Sequence, residues 1–355
     1  MYPKLEVDIN KLKHNVKIIS QLCHEKDISL AFVTKSFCAR KEIVEKLAEE
    51  GIDYIADSRI HNLKKLKDIN LPKILIRIPM ISELEDVIEY SDISFNSEIE
   101  TIKELNRICE DKGIVHKIVL MFDLGDLREG YFYEDDFFDN IRNIMKFKNI
   151  KIIGIATNLT CYGAIIPSKT NIGRLVEIAK KVEDEFGLKL EIVSGGNSSS
   201  LDLMMNNNMP NGVNNLRIGE SIVLGRETAY GKKIEGTYQD AFKLICEVVE
   251  CKEKPSIPIG EIGVDAFGNK PVYEDKGILK RAIVAIGKQD IDIDSLTPVD
   301  PLITILGASS DHMILDVTNS NQNYNIGDKV AFLLTYGGLM SSSTSEYVDK
   351  IIYQE

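Results

Sequence analysis

Between about residue 30 and residue 222 the chain alternates short apolar runs with amphipathic helical stretches, and this alternation limits the possible folds more than any other feature. The apolar runs are LAFVT, DYIAD, ILIRI, ISFNS, IVLMFDL, IIGIAT, EIVSG and NLRIGES. These are the strand candidates. Between them lie patterns such as KEIVEKLAEE, SELEDVIEY, SEIETIKELNRICED, EDDFFDNIRNIMKF and GRLVEIAKKVEDEFG, with apolar residues three and four apart. Eight strand and helix units in roughly 190 residues predict an α/β fold of the (β/α)8 TIM-barrel type, since a doubly wound sheet usually stops earlier.

After Gly225 the pattern changes: YQDAFKLICEVVECKEK, KRAIVAIGK, PLITILGASSDHMILDVTN and DKVAFLLTY are β-type runs joined by turn residues, and helical periodicity ends. The expected organisation is a barrel over residues 8–225 and a mostly β domain over residues 226–355. The opening segment KLEVDIN would add an N-terminal strand, within residues 1–7, to the β domain. A net charge of −12 leaves no basic field for phosphate backbones, so nucleic acid is an unsuitable partner. The longest stretch free of charge, Ile152 to Ser168, contains Asn158, Thr160 and Gly163 and is too short and polar to span a bilayer. MYPKLEVDIN lacks an apolar signal core, and the six cysteines form no CxxC pair. A cytoplasmic protein with free thiols and no metal site is the expectation.

Barrel active sites form at the C-terminal ends of the strands. The residues closing the runs are Lys35, Asp57 with Ser58 and Arg59, Arg77, Asn96, Asp123, Asn158, Ser194 through Ser198, and Arg217. Lys35, directly after AFVT, is a candidate amine nucleophile of the imine-forming kind; the plain alternative is a lysine that snorkels off the rim. The segment SGGNSSSLDLMMNN opens a helix after strand seven, where barrels commonly bind phosphate, although an ordinary capped turn reads the same way. Together the lysine and the turn point to a phosphorylated aldehyde, pyridoxal 5'-phosphate. Arg217 could anchor a carboxylate, a phosphate or a ring nitrogen, or pair structurally with Glu220.

Taken in order, AFVTKSFCAR, FDLGDLREG, GIATN, GGNSSSL, LRIGESIVLG, RAIVAIGKQDID, SSDHMILDVTN and NIGDKVAFLL resemble the alanine racemase family along essentially the whole chain. The resemblance implies a barrel with a C-terminal β domain, pyridoxal phosphate as cofactor, and a homodimer with composite sites. It implies that Lys35 bonds to the cofactor and acts as one acid/base catalyst. Asn197 and Ser198, with the backbone at Gly219 and Glu220, would bind the phosphate. Arg217 would face the pyridine nitrogen, Arg128 the phenolic oxygen, and Asn158 would lie beside the ring.

Some positions depart from the family pattern. Ala39 stands where a phosphate-touching tyrosine is usual, Asn158 where a histidine stacks on the ring, and Lys288, within AIGKQD, where a tyrosine serves as second base. Lys288, then Asp290 and Asp311, are the candidates for that second acid/base group. ADSRIHNL, RIPM, NLTCYG, GESIVLGRET and GKQDID are similar to the alanine/ornithine subgroup, which implies interconversion of L- and D-ornithine. A carboxylate among Glu220, Asp265, Asp290 and Asp311 would then pair with the distal ammonium. Alanine, lysine or serine racemisation, a non-catalytic cofactor carrier, a basic amino-acid decarboxylase and a D-amino-acid aldolase are the alternatives. The β domain argues against a carrier, and ICEVVEC, which lacks a Cys-Asp pair, argues against a decarboxylase.

Overall fold

The computed structural model describes residues 1–268 and 270–354. After β1 (Lys4–Asp8) and α1 (Ile9–His24) the strands of a closed barrel follow. They are β2 (Ser29–Val33), β3 (Tyr54–Asp57), β4 (Lys73–Leu75), β5 (Ile93–Asn96), β6 (His116–Met121), β7 (Ile150–Ala156), β8 (Ile192–Ser194) and β9 (Asn215–Ile218). Each pairs in parallel with the next, and β9 returns to β2 with Ala31 opposite Arg217. All eight expected strands are present. Ala31 and Val33, Ile93 and Phe95, and Val119 and Met121 join one buried cluster. The two-residue spacing marks the inner face of a closed sheet.

The helices that follow the strands, one after each, are α2 (Lys41–Leu47), α3 (Ile60–Lys65), α4 (Leu84–Tyr90), α5 (Ile99–Lys112), α6 (Glu134–Ile144), α7 (Lys169–Phe186), α8 (Leu201–Met205) and α9 (Glu220–Leu224). The longest of these, α7, shows why they form. Ser168 and Asn171 make a reciprocal capping box, Gly187 ends the helix at φ +63°, and Ile172, Leu175, Ile178, Ala179 and Val182 form its buried stripe. Burial of each large aliphatic side chain stabilises the fold by about 1.5–3 kcal/mol.

The chain divides into two compact units, Ile9–Gln239 and Met1–Asp8 with Asp240–Glu355. Residues 226–239, expected with the β domain, belong to the barrel unit. The reason is a set of hydrogen bonds back to the barrel's own helices. Asn15 of α1 bonds both main-chain groups of Tyr238, and the Thr237 hydroxyl donates to Gly225 O. The buried Glu227 carboxylate folds the intervening loop by accepting the N–H groups of Ala229, Tyr230 and Lys232.

The second unit is a mostly antiparallel sheet of β10 (Phe242–Pro255), β11 (Ile278–Val284), β12 (Leu296–Pro298), β13 (Thr304–Ala308), β14 (Met313–Asp316) and β15 (Lys329–Leu334). As expected, β1 joins it, antiparallel to β10; on its other side it runs parallel to β16 (Asp349–Tyr353). One helix was not expected there, α10 (Tyr336–Thr344). No helix among the described residues is long and apolar enough to cross a membrane.

Candidate active site

Strand β2 ends at Val33, and Lys35–Phe37 forms a single 3₁₀ turn. Thr34 O accepts the N–H groups of Phe37 and Ala39, which curls the chain so tightly that Cys38 and Ala39 both adopt left-handed conformations, φ +57° and +48°. Non-glycine residues rarely do this, at a cost of order 1–3 kcal/mol each. The turn presents Lys35 half-buried, with no hydrogen bond to its Nζ among the described residues. Its charge acts on two carboxylates, Asp57 at the end of β3 and Glu220 at the start of α9. Burial pushes Glu220 up to about 6, opposed by Arg226 and Lys35.

Arg217 lies opposite Ala31 in the barrel register, and its guanidinium sits 5.1 Å from the Phe95 ring centroid. It is 4% exposed and donates to Ser194 Oγ at 2.7 Å, Thr157 O at 2.7 Å and Asn158 Oδ1 at 3.4 Å. Burial brings its pKa down to about 10, against the opposing pull of Glu129 and Cys161, so it is still a cation at neutral pH. It forms no ion pair among the described residues, which removes the structural pairing with Glu220. A guanidinium has five N–H donors, so the three contacts leave some available for a ligand.

The turns after β8 and β9 meet beside it. Asn197 Nδ2 donates to Asn158 Oδ1, Leu159 O and Cys161 Sγ, and its Oδ1 caps Ser199 N. Ser198 Oγ accepts the Ser221 N–H at 3.3 Å. Gly219 has room for no side chain without displacing Val33, since an added Cβ would lie 3.0 Å from Val33 O. The hydroxyls of Ser199 and Ser221 are buried and have no hydrogen-bond partner among the described residues. Ser194 stands among the strand-end residues read from the sequence and Ser199 within its serine run, whereas Thr157 and the Ser221 hydroxyl are singled out by nothing there. The serine run in GGNSSSL was the available signal, but a run of like residues does not say which hydroxyl turns inward.

Arg128 pairs with its neighbour Glu129, and its charge acts on Arg217. Its loop is tied down by the buried Asp126, whose carboxylate accepts the N–H groups of Tyr162 and Gly163 in the loop after β7. The barrel unit thus gathers Lys35, Arg128, Asn158, Asn197, Ser198, Arg217, Gly219 and Glu220.

Lys288, Asp290, Asp265 and Asp311 belong to the second unit. The 287–290 turn packs on the 309–312 turn, with Lys288 N bonded to Ser309 O and Gln289 N to Ser310 O. Lys288 Nζ lies 4.2 Å from the Phe267 ring centroid and lines a cavity of about 680 Å³ with Asp265, Phe267, Arg281 and Leu306. Asp311 is an exposed carboxylate held by Ser309, Ser310 and His312. Asp290 is buried and accepts the Ser345 hydroxyl at 2.7 Å.

The family model "Alanine racemase, N-terminal domain" matches residues 7–227. The chain is 56% identical to the ornithine racemase of Acetoanaerobium sticklandii over 350 residues, 99% of each protein. It is 38% identical to the lysine racemase of Thermotoga maritima over 353 residues, 99% of this chain and 98% of that one. The alanine racemase from Bartonella henselae with covalently bound pyridoxal phosphate superposes with a TM-score of 0.74 at 17% identity, covering 99% of both chains. A closed barrel with this strand-end chemistry and a mostly antiparallel β unit defines the class, and the chain belongs to the alanine racemase family. These two relatives, each matched over nearly its full length, are racemases of the basic amino acids ornithine and lysine.

Proposed function

We propose that this chain is a pyridoxal-phosphate-dependent racemase that interconverts L- and D-ornithine. The observation that carries the reading is the pairing, at the strand ends of one barrel, of a half-buried lysine whose Nζ makes no hydrogen bond and a buried arginine that forms no ion pair, both among the described residues. The near full-length likeness to an ornithine racemase supports the substrate.

The site residues fit the cofactor: the partnerless hydroxyls of Ser199 and Ser221 lie among Asn197, Ser198 and Gly219, a set of donors suited to a phosphate. When bound, pyridoxal phosphate supplies the electron sink that acidifies the α-proton of an amino acid. Lys35 would hold it covalently, Arg217 would face its ring nitrogen, and Arg128 its phenolic oxygen. Arg217 remains a cation and does not readily give up a proton, so it would leave that nitrogen unprotonated, which would favour return of a proton to Cα over transamination. Asn158, held by Asn197 and Arg217, would lie beside the ring.

Racemisation moves a proton at Cα on two opposite faces, and one lysine reaches one face. Lys35 serves the first. For the second we assign Lys288 of a second copy, in a cytoplasmic homodimer with composite sites; the six cysteines, all free thiols, suit that compartment. Asp290 is the weaker candidate because its carboxylate is committed to Ser345. Glu220 is the half-buried carboxylate of the barrel unit available to a distal ammonium; Asp265 and Asp311 belong to the second unit.

The test is kcat/KM for L-ornithine, L-lysine and L-alanine, followed by chiral chromatography. Ornithine should exceed alanine by at least about 100-fold, because alanine leaves the carboxylate without its partner. Equal turnover of alanine would overturn the substrate and leave a racemase of another amino acid.

A further inference from the structure

Asp57 ends β3, the strand paired with β2, and its side chain is fully buried. Its Oδ1 accepts the Arg59 N–H at 2.9 Å and Asn62 Nδ2 at 3.1 Å. That half of the carboxylate makes an Asx turn at the start of α3 and needs no further explanation. The other oxygen does. Oδ2 accepts Thr34 Oγ1 at 2.7 Å, across the strands, from the residue immediately before Lys35.

Burial works against the charged form of Asp57, and the carboxylate forms no ion pair among the described residues. Buried carboxylates are ordinarily paired. The cation whose field favours its charged form is Lys35. A second hold acts on the far side of the same turn. Lys65 of α3 donates to Cys38 O at 3.2 Å and to Asn62 Oδ1 at 3.0 Å, and Asn62 in turn bonds Asp57. Thr34 and Cys38, on either side of the Lys35–Phe37 turn, are therefore both fastened to α3 through one network. The left-handed Cys38 and Ala39 lie at its end, where unfavourable backbone conformations need to be held.

We propose that Asp57 is a positioning residue for Lys35: through Thr34 it fixes the turn that carries the amine, and it keeps a negative charge behind that nitrogen. The proposal rests on Lys35 being the cofactor-bearing lysine of the racemase reading. Glu220, Lys65, Arg40 and Arg59 also carry charge around the turn, and none of their side chains bonds the Asp57 carboxylate.

The experiment compares the cofactor-loaded parent, Asp57→Asn and Thr34→Val. Asn keeps the Oδ1 acceptor of the local turn and removes the charge. In Asp57→Asn the pH at which the visible band of the bound cofactor converts between its protonated and unprotonated forms should fall by about one unit, a ten-fold change in proton affinity. Its kcat should drop at least ten-fold with KM changed less than two-fold. A lowered Tm with the parental midpoint would mean that Asp57 only supports the fold, and would overturn the proposal. Should Asp57→Asn not fold, Thr34→Val removes the cross-strand hydroxyl alone, and a parental midpoint there also overturns it. Borohydride reduction and peptide mapping of the parent separate the two claims. Label on a lysine other than Lys35 defeats the racemase site assignment; label on Lys35 with unchanged midpoints defeats only the role of Asp57.

Discussion

At the barrel's strand ends, Arg217 is 4% exposed and bonds Ser194, Thr157 and Asn158, whereas in the second unit Asp311 has a side chain 70% exposed and Lys288 rests on the half-exposed ring of Phe267. In the barrel, strand register sets where a polar group stands, and its partners come from two or three different strands. In the second unit one pair of turns does this, through main-chain bonds that do not involve the candidate side chains. Substitution in the first region therefore disturbs structure and chemistry together, and substitution of Lys288 or Asp311 in the second should touch chemistry with little structural cost.

The largest effect expected is at Lys35. Lys35→Ala should remove racemisation by more than about 1,000-fold, together with the cofactor that borohydride fixes to the protein. Undiminished activity, or the label on another lysine, would break the contrast by moving the chemistry out of the barrel mouth.

Next in size is Lys288→Ala, expected to lower kcat by about 10²–10⁴-fold. Its stability should change by no more than about 1 kcal/mol, the worth of an exposed cation–π contact. Mixing inactive Lys35→Ala with inactive Lys288→Ala should restore part of the activity through hybrid dimers. No recovery despite proven subunit exchange would count against a composite site.

The smallest effect concerns acid stability of the barrel. His116, buried on β6 and bonded to Ser94 Oγ at 2.9 Å, is held down to about 4 by burial. The unfolded chain takes up this proton near pH 6.5 and the folded barrel does not until about pH 4. Stability is therefore full above pH 6.5 and falls as pH drops toward 4, by up to about 3 kcal/mol. Urea unfolding at stepped pH should show the loss, and His116→Gln should flatten it.

The barrel strands were legible because burial on both faces writes near-continuous apolar runs, and β1 because KLEVDIN alternates. Helix α10 was not legible. Its YGGLMSSST is poor helix-forming material, and Gly338 is there for closeness: an added Cβ would lie 2.9 Å from Ser295 O. Packing overrides propensity at that point. The edge of the barrel unit was misplaced because Asn15, far off in sequence, holds Tyr238. In the site, Lys35 and Arg217 could be read from where strands end. The orphan hydroxyls of Ser199 and Ser221 depend on side-chain direction in two turns, and no periodicity records that.

The pairing of β1 with β10 has a consequence for the barrel that involves no contact with it. Val7 stands opposite Phe242, and Asp8 N bonds Ala241 O at 2.9 Å, so the chain leaves the β sheet for the barrel and returns to it at neighbouring positions. While that sheet persists, an unfolded barrel is a closed loop rather than a free coil. Closing a loop of this length removes chain entropy worth about 5 kcal/mol at 25 °C. The strand pair thus acts as a cross-link without a covalent bond. It favours the folded barrel by impoverishing the alternative.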